Sequence, residues 1–343
     1  MIRKFLIPLV FICLPLNLQA QNDDFNKVGT TAAQFLKIEV GARGLGMGGC
    51  FGALANDASA LYWNPAGIAQ LQQMELTFTH TEWIVGISHG FAGFVFPISD
   101  NNIFGLSFTY QSMDEMEQTT IEQPKGTGLY YDAQDVAIGL SYGRRMIDYI
   151  LFGITAKMIH QSIWNETATG FAVDIGLLLD TGISGIKVAM VMTNFGTNMQ
   201  LDGRDLIRPY DQAPESASNP DAVSKLSTES WPLPTNLRIS LMSDLIGPDH
   251  SLIPDGDNRV TLIVDATHPN DNPEHYNVGV EYGLFEQYFL RAGYRGNTDE
   301  EGLTLGAGVR IDITGETDLT VDYAYADFGI FNSVQHFSFG ITF

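Results

Sequence analysis

From about Gln73 onward the chain is one stretch after another in which apolar residues alternate with small or polar ones. Side chains of a strand point alternately to its two faces, so this pattern demands a sheet with an apolar medium on one side only. Leu303, Leu305, Ala307, Val309 and Ile311 alternate with Thr304, Gly306, Gly308, Arg310 and Asp312. Phe152, Ile154, Ala156 and Met158 alternate with Gly153, Thr155 and Lys157, and Leu319, Val321, Tyr323 and Tyr325 with Thr320, Asp322 and Ala324. A soluble sandwich alternates too, but its wet face is normally rich in Lys, Glu and Thr. Here the non-apolar face is largely Gly, Ser and Ala.

Fourteen such segments are expected, near 73–81, 87–97, 102–112, 131–144, 148–162, 169–180, 184–195, 234–244, 258–266, 274–284, 286–296, 302–312, 316–327 and 333–343. Tight turns are expected at Arg145-Met146-Ile147, Asp180 to Ser184, Phe285-Glu286 and Thr314-Gly315. The two longest connections, about 113–130 and 196–233, fall on the opposite side. Short turns at one end and long loops at the other are how transmembrane barrels are built, with both termini at the short-turn, periplasmic end. The stretch Asp244 to Asn258 breaks the rule: either it is a long periplasmic turn, or the strand count slips there. Aromatics such as Phe94, Phe96, Tyr110, Tyr142, Tyr282, Tyr288 and Tyr294 recur near strand ends, where rings suit the headgroup level.

The final segment places Phe337, Phe339, Ile341 and Phe343 on one face and Ser338, Gly340 and Thr342 on the other. An amphipathic strand ending on Phe resembles the sorting signal of bacterial outer-membrane barrels, so these four are the expected assembly signal. At the other end, Arg3 and Lys4 precede an apolar run from Phe5 to Leu16 and a small residue before an expected cut between Ala20 and Gln21. That is the form of a secretory signal peptide. The run is shorter than the roughly 20 residues of a spanning helix, and the surroundings of Cys13 lack the small residues of a lipoprotein site. Cys50 alone remains after cleavage, so no intrachain disulfide is possible.

The 343 residues carry 18 basic and 40 acidic side chains, a net charge of -22 that becomes -24 without Arg3 and Lys4. Nucleic acid is a poor partner for such a chain. The expected organisation is a signal peptide at 1–20, an N-terminal segment and hatch at 21–71, and a barrel at 72–343. Charges on the small-residue face, namely Lys157, Asp174, Lys187, Arg238, Glu281, Arg291, Arg310, Asp312 and Asp322, belong in the lumen or at its rim, because Arg or Lys facing lipid at mid-depth costs about 2 to 4 kcal/mol. They line a gated polar path or form a charge ladder that fixes a plug.

Residues Thr31 to Leu71 do not alternate and hold the densest Gly and Ala cluster, Gly41-Ala42-Arg43-Gly44-Leu45-Gly46-Met47-Gly48-Gly49. So few bulky side chains suit backbone-to-backbone packing inside a lumen. In Asn56-Asp57-Ala58-Ser59-Ala60-Leu61-Tyr62-Trp63-Asn64-Pro65-Ala66-Gly67, Asp57 is expected to cap a short helix that Pro65 and Gly67 end. Together with Phe35-Leu36-Lys37-Ile38, these motifs resemble the N-terminal signature of the PorV/PorQ family of outer-membrane proteins of Bacteroidetes and related bacteria. The specific part of the match covers about 40 residues. The resemblance implies a FadL-like barrel with a hatch, in which Gly46, Gly48, Gly49, Asp57, Trp63, Asn64, Pro65, Ala66 and Gly67 are structural. It also implies an accessory or cargo-handling role in type IX protein secretion and surface attachment, with secreted cargo and attachment components as partners. The alternative is a FadL-like channel for hydrophobic small molecules such as long-chain fatty acids. Outer-membrane lipid and lipopolysaccharide would surround either one in a Gram-negative cell.

Catalysis has no candidate. Gly44, Gly46 and Gly49 satisfy G-x-G-x-x-G, but no alternating strand-helix units follow. The seven histidines, His80, His89, His160, His250, His268, His275 and His336, show no metal-binding i, i+4 pair. No G-x-S-x-G elbow occurs. Pro254-Asp255-Gly256-Asp257-Asn258 could present oxygens to calcium, though a solvated acidic turn explains it as well. The expectation is a non-enzyme with no cofactor and no metal.

Overall fold

The computed structural model describes residues 27–211, 215, 222–248, 251–298 and 300–343. The expected signal peptide with Cys13, and also His250 and Asp299, lie outside the described residues. Fourteen long strands pair antiparallel, each with its sequence neighbours: β1 (Glu75–Glu82), β2 (Ile87–Ser99), β3 (Asn102–Met113), β4 (Ala133–Ile147), β5 (Ile150–Ile163), β6 (Glu166–Asp180) and β7 (Lys187–Gly196). The second half is β8 (Asn236–Gly247), β9 (Asn258–Pro269), β10 (His275–Leu284), β11 (Tyr288–Gly296), β12 (Leu303–Asp312), β13 (Asp318–Asp327) and β14 (Ser333–Thr342). β14 pairs back onto β1, with Phe78 opposite Phe339 and Glu75 opposite Thr342, so the sheet closes and no edge is left. Each expected segment overlaps one of these strands. No helix among the described residues is long and apolar enough to cross a membrane.

The parity of each strand is fixed by what its two faces meet. Along β1, Glu75, Thr77, Thr79 and Thr81 are buried inward, while Phe78 and His80 face out. Along β14, Val334, His336 and Ser338 point inward, and Phe337, Phe339, Ile341 and Phe343 remain 38 to 49 % exposed on the outer wall. Bands of this kind run round the barrel, for example Leu106 and Phe108 on β3 or Leu303 and Leu305 on β12. An apolar belt with every backbone group paired is the surface a hydrocarbon solvent requires. Outside β2 to β4, Phe94, Phe96, Phe104 and Tyr142 form a run of ring contacts with centroids 5.1 to 6.1 Å apart. The Tyr142 hydroxyl donates to Asn102 Oδ1 at the turn end.

One local expectation is corrected and one open alternative is decided. β4 continues through Arg145-Met146-Ile147, and the chain reverses at Asp148 and Tyr149, because a bulge between Arg145 and Ile147 lengthens the ladder. The long stretch after Asp244 is a true turn: β8 runs on to Gly247 past a bulge, and Ile253–Pro254 then pairs parallel with Ile246–Gly247. The strand count therefore does not slip.

Wall height is uneven. β4, β5 and β6 have 15, 14 and 15 residues, whereas β10 to β14 have 9 or 10. At about 3.3 Å per residue and a tilt near 40°, ten residues reach about 25 Å along the normal, matching an apolar band, and fifteen reach about 38 Å. The loops after β3 and β7 add short ribbons beside this tall side, Met116–Glu117 with Tyr130–Tyr131 and Ile207–Tyr210 with Ala222–Lys225.

Candidate functional site: the luminal segment and the mouth cavity

Residues 31–73 run through the barrel from its loop end to its turn end. At the loop end, the Ala32 amide donates to the Pro232 carbonyl, and the Ala33 amide to Gln161 Oε1 on β5. Asp271, in the β9–β10 loop, accepts from Thr31 Oγ1 at 2.6 Å, from Gln34 Nε2 at 3.0 Å and from Lys37 Nζ at 3.1 Å. At the turn end Met74 pairs with Phe343 through both backbone groups. In between, Val40, Met47, Phe51, Leu61, Trp63 and Ile68 form one buried cluster with wall residues Val95, Ile103, Leu178, Met242 and Ile263.

Short polar side chains shape this segment. Asp57 Oδ1 accepts from the amide and hydroxyl of Ser59 ahead of a one-turn helix, Ala60–Trp63. The Ala60–Trp63 helix ends just before Pro65, as expected, but Pro65 also begins a new element. It opens a second, 3-10 helix, Pro65–Gln70, whose first amides are capped by Asn64 Oδ1 accepting from Ala66. Pro has no N–H and a preset φ, so a first helical position suits it. Asn64 Nδ2 holds the Gly52 carbonyl at 2.8 Å, and Trp63 Nε1 the Val40 carbonyl at 2.8 Å.

Glycines let segment and wall touch. A Cβ on Gly153 of β5 or Gly176 of β6 would collide with Pro65 and Asn64 respectively. Gly46 faces the Gly306 backbone, and Gly48, with φ +72°, sits so close to Tyr294 that a Cβ would lie 2.9 Å from its backbone nitrogen. Gly49 abuts Glu39, and Gly67 abuts Ala55. The formal G-x-G-x-x-G pattern is thus spent on close packing.

Charges bind the segment to the wall in two groups. Arg43 grips Glu281 of β10 through Nε and Nη2 at 2.9 and 3.0 Å, and reaches Asp57 at 3.0 Å. Glu281 is fully buried and also receives Arg291 at 2.6 Å and Arg259 at 2.8 Å; Arg291 continues to Asp322 at 2.6 Å. Higher up, Arg238 donates to the Gly49 carbonyl at 2.5 Å and to Asp265 at 3.0 Å, lies 4.7 Å from the Trp63 ring centroid, and approaches Glu39, which also pairs with Arg295. Lys157 pairs with Asp174 at 2.5 Å, and Lys187 donates to Gln70 at 2.9 Å. Arg310 lies over Phe289 at 5.7 Å, and Asp312 is exposed at the turn-end rim. Asp265, Arg259, Arg295, Glu39 and Asp271 also hold this framework and were not among the sequence candidates.

Space remains at the mouth. A cavity of about 960 Å³ lies between the strap Val28–Lys37 and the loop end of the wall. Its apolar lining includes Phe35, Ile38, Trp83, Met199 and Trp231, and its polar lining includes Gln111, Asp135, Gln161, His275 and Asn277. Lys37, Glu39, Asn272 and His275 also border a pocket of about 100 Å³ that extends to Trp63 and Lys157. Pockets of about 70 and 140 Å³, sharing Arg43, Asn56 and Arg310, are lined by residues from the turn-end half of the lumen. The packed segment separates them from the mouth.

No group of three or more His, Cys, Asp or Glu side chains is arranged to hold a metal among the described residues. In the acidic turn, Asp255 Oδ1 accepts from the Asp257 and Asn258 amides at 2.9 Å, and these bonds hold its carboxyl below the usual range. That oxygen is committed to its own turn.

A sequence model of the group described as Uncharacterised protein family (UPF0164) matches residues 17–146. Comparison with curated proteins finds no match. Among solved structures, the chain is similar to the CymD monoaromatic hydrocarbon channel (TM-score 0.56, 13% identity, 89% of this chain and 97% of that one). It is similar to a Pseudomonas aeruginosa FadL homologue (0.52, 13%, 89% and 98%) and to the Pseudomonas putida toluene transporter TodX (0.56, 12%, 88% and 97%). The architecture is therefore a closed, fourteen-stranded barrel of FadL-like fold.

Proposed function

We propose that the chain is an outer-membrane channel that admits a small, partly apolar molecule at its mouth and catalyses no reaction. The observation that carries this reading is the cavity of about 960 Å³ above a lumen filled by residues 31–73. Its size is that of a ligand site, about 300 to 1,000 Å³. The likeness to channels and transporters supports the fold required. Passage past Arg43, Arg238 and their carboxylates requires the luminal segment to shift, so that segment acts as a hatch.

The reading is tested by fractionation and uptake. The protein is expected in the outer membrane with a heat-modifiable gel shift, and liposomes containing it should take up a fluorescent apolar probe faster than empty ones. Recovery as a soluble periplasmic protein would refute the reading.

A second role, cargo handling in type IX secretion, is favoured by the paired ribbons Met116–Glu117/Tyr130–Tyr131 and Ile207–Tyr210/Ala222–Lys225 beside the tall wall. They lie at the loop end, outside the lumen, where a protein partner has access. Affinity purification from native cells separates the two: secreted proteins or attachment components in the eluate support the secretion role, and bound small molecule without protein supports the channel.

A further inference from the structure

The mouth cavity is lined by five carboxylates, Glu39, Asp135, Glu229, Glu300 and Glu301, against two permanently basic side chains, Lys37 and Arg295. Both bases are already engaged. Lys37 is paired with Asp271, and Arg295 with Glu39 and Glu301. Asp135 meets the Gln161 amide, and Glu300 accepts from the Ile330 backbone amide at 3.2 Å. Neither bond neutralises a charge.

A separate observation has the same sign. Asn277 lines the cavity, is 1 % exposed, and its amide oxygen has no donor. Among the described residues, Arg295 Nε is the one cavity-lining donor in the same condition. Trp83, Trp231 and Phe35 supply ring surface, which attracts a cation through its quadrupole as readily as it packs a hydrocarbon. The field outside agrees: residues 114–132 carry five acidic residues and one lysine, and the whole chain has a net charge of -22. Such a field concentrates cations at a cleft and depletes anions.

Resting on the channel reading, we propose that the mouth cavity selects an organic cation, an ammonium group on an apolar body about the size of an aromatic ring. The carboxylates of Asp135 and Glu229 set the sign of the cavity, the Asn277 oxygen adds an unpaired acceptor on its wall, and the body lies against the tryptophans. A fatty-acid carboxylate would enter against the lining charge, and a plain hydrocarbon would leave the Asn277 oxygen unsatisfied.

The test compares three probes with a similar body and different charge: phenylethylammonium, ethylbenzene and phenylpropionate. Each is titrated into the full mature protein in a non-ionic detergent at low salt, following tryptophan fluorescence. The ammonium is expected to bind about tenfold more tightly than the carboxylate or more, and more tightly than the hydrocarbon. In Asp135→Asn/Glu229→Gln, checked for an intact heat-modifiable band, that gap should shrink several-fold. Equal or tighter binding of phenylpropionate or ethylbenzene overturns the charge preference and leaves the channel reading standing, as does a gap unchanged in the double variant. A folded barrel that binds none of the three overturns both.

Discussion

Glu281 is the residue on which most of the luminal framework converges. Three guanidinium groups, from Arg43, Arg259 and Arg291, share one fully buried carboxylate, and only Arg43 belongs to the luminal segment. Removing one partner of a buried pair costs about 3 to 5 kcal/mol, because charge is left without compensation. Glu281→Gln should therefore lower the temperature at which the heat-modifiable band converts, and an unchanged conversion would show the cluster to be dispensable. Asp271 makes a different prediction at the mouth. Burial alone would push its carboxyl up, but hydrogen bonds from Gln34 and Thr31 and the Lys37 ammonium outweigh it and hold it below the ordinary aspartate value of 3.8. A depressed carboxyl contributes stability that is fully present above its unfolded value and is lost as pH falls through the folded one. Protease sensitivity near Lys27 to Lys37 should stay flat from neutral pH down to about 4 and rise only below that. Asp271→Asn should raise it throughout, and a rise already at about pH 6 would assign the anchor elsewhere. Strand parity makes luminal residues such as Arg238 and Glu281 legible in sequence, and extending the same parity reaches Asp265 and Arg295. Their partners Glu39, Arg43 and Asp57 come from a segment with no period, so no spacing rule could pair them.

At the scale of elements, the strands are legible because each lies between two media, lipid outside and a small-residue lumen inside, and both leave a period of two. Turn positions are less so. The bulges at Arg145/Ile147 and Asp244/Ile246 add a residue to one strand, and alternation alone does not show where. The wall glycines matter for their position against the segment. Gly153 and Gly176 face Pro65 and Asn64 where β5 and β6 approach the turn end. Gly153→Val should leave strand pairing intact, since Val suits a strand, while expelling the Pro65–Gln70 helix from its seat. The expected result is a barrel that still shows heat modification but cleaves between 31 and 73 under limited proteolysis and conducts in planar bilayers. A variant as closed and protected as the parent would show that the glycine is not needed for the fit. The mouth cavity was not foreseeable, because its lining comes from the strap, four loops and strand tops whose relative placement only the closed barrel sets.

For the whole molecule, the seam between β1 and β14 decides whether there is a barrel at all. Phe343 contributes the last rung, with its amide donating to the Met74 carbonyl at 2.9 Å and its carbonyl accepting from the Met74 amide at 3.1 Å, and its ring stays on the outer face. Deleting Phe343 should reduce the fraction of heat-modifiable protein recovered from membranes, and full recovery would mean that the seam closes without it. The luminal segment adds a constraint on the order of events. It is joined directly to β1, the first stave, while the strand that shuts the seam, β14, is synthesised some 260 residues later in the chain. A stopper tied to the first stave cannot be fitted from outside once the cask is shut without drawing about forty residues through a lumen packed with their own side chains. The wall must instead curl around a segment already lying against it, so the contacts of Asn64, Pro65 and Arg43 are part of how the cask is raised as well as of how it is sealed.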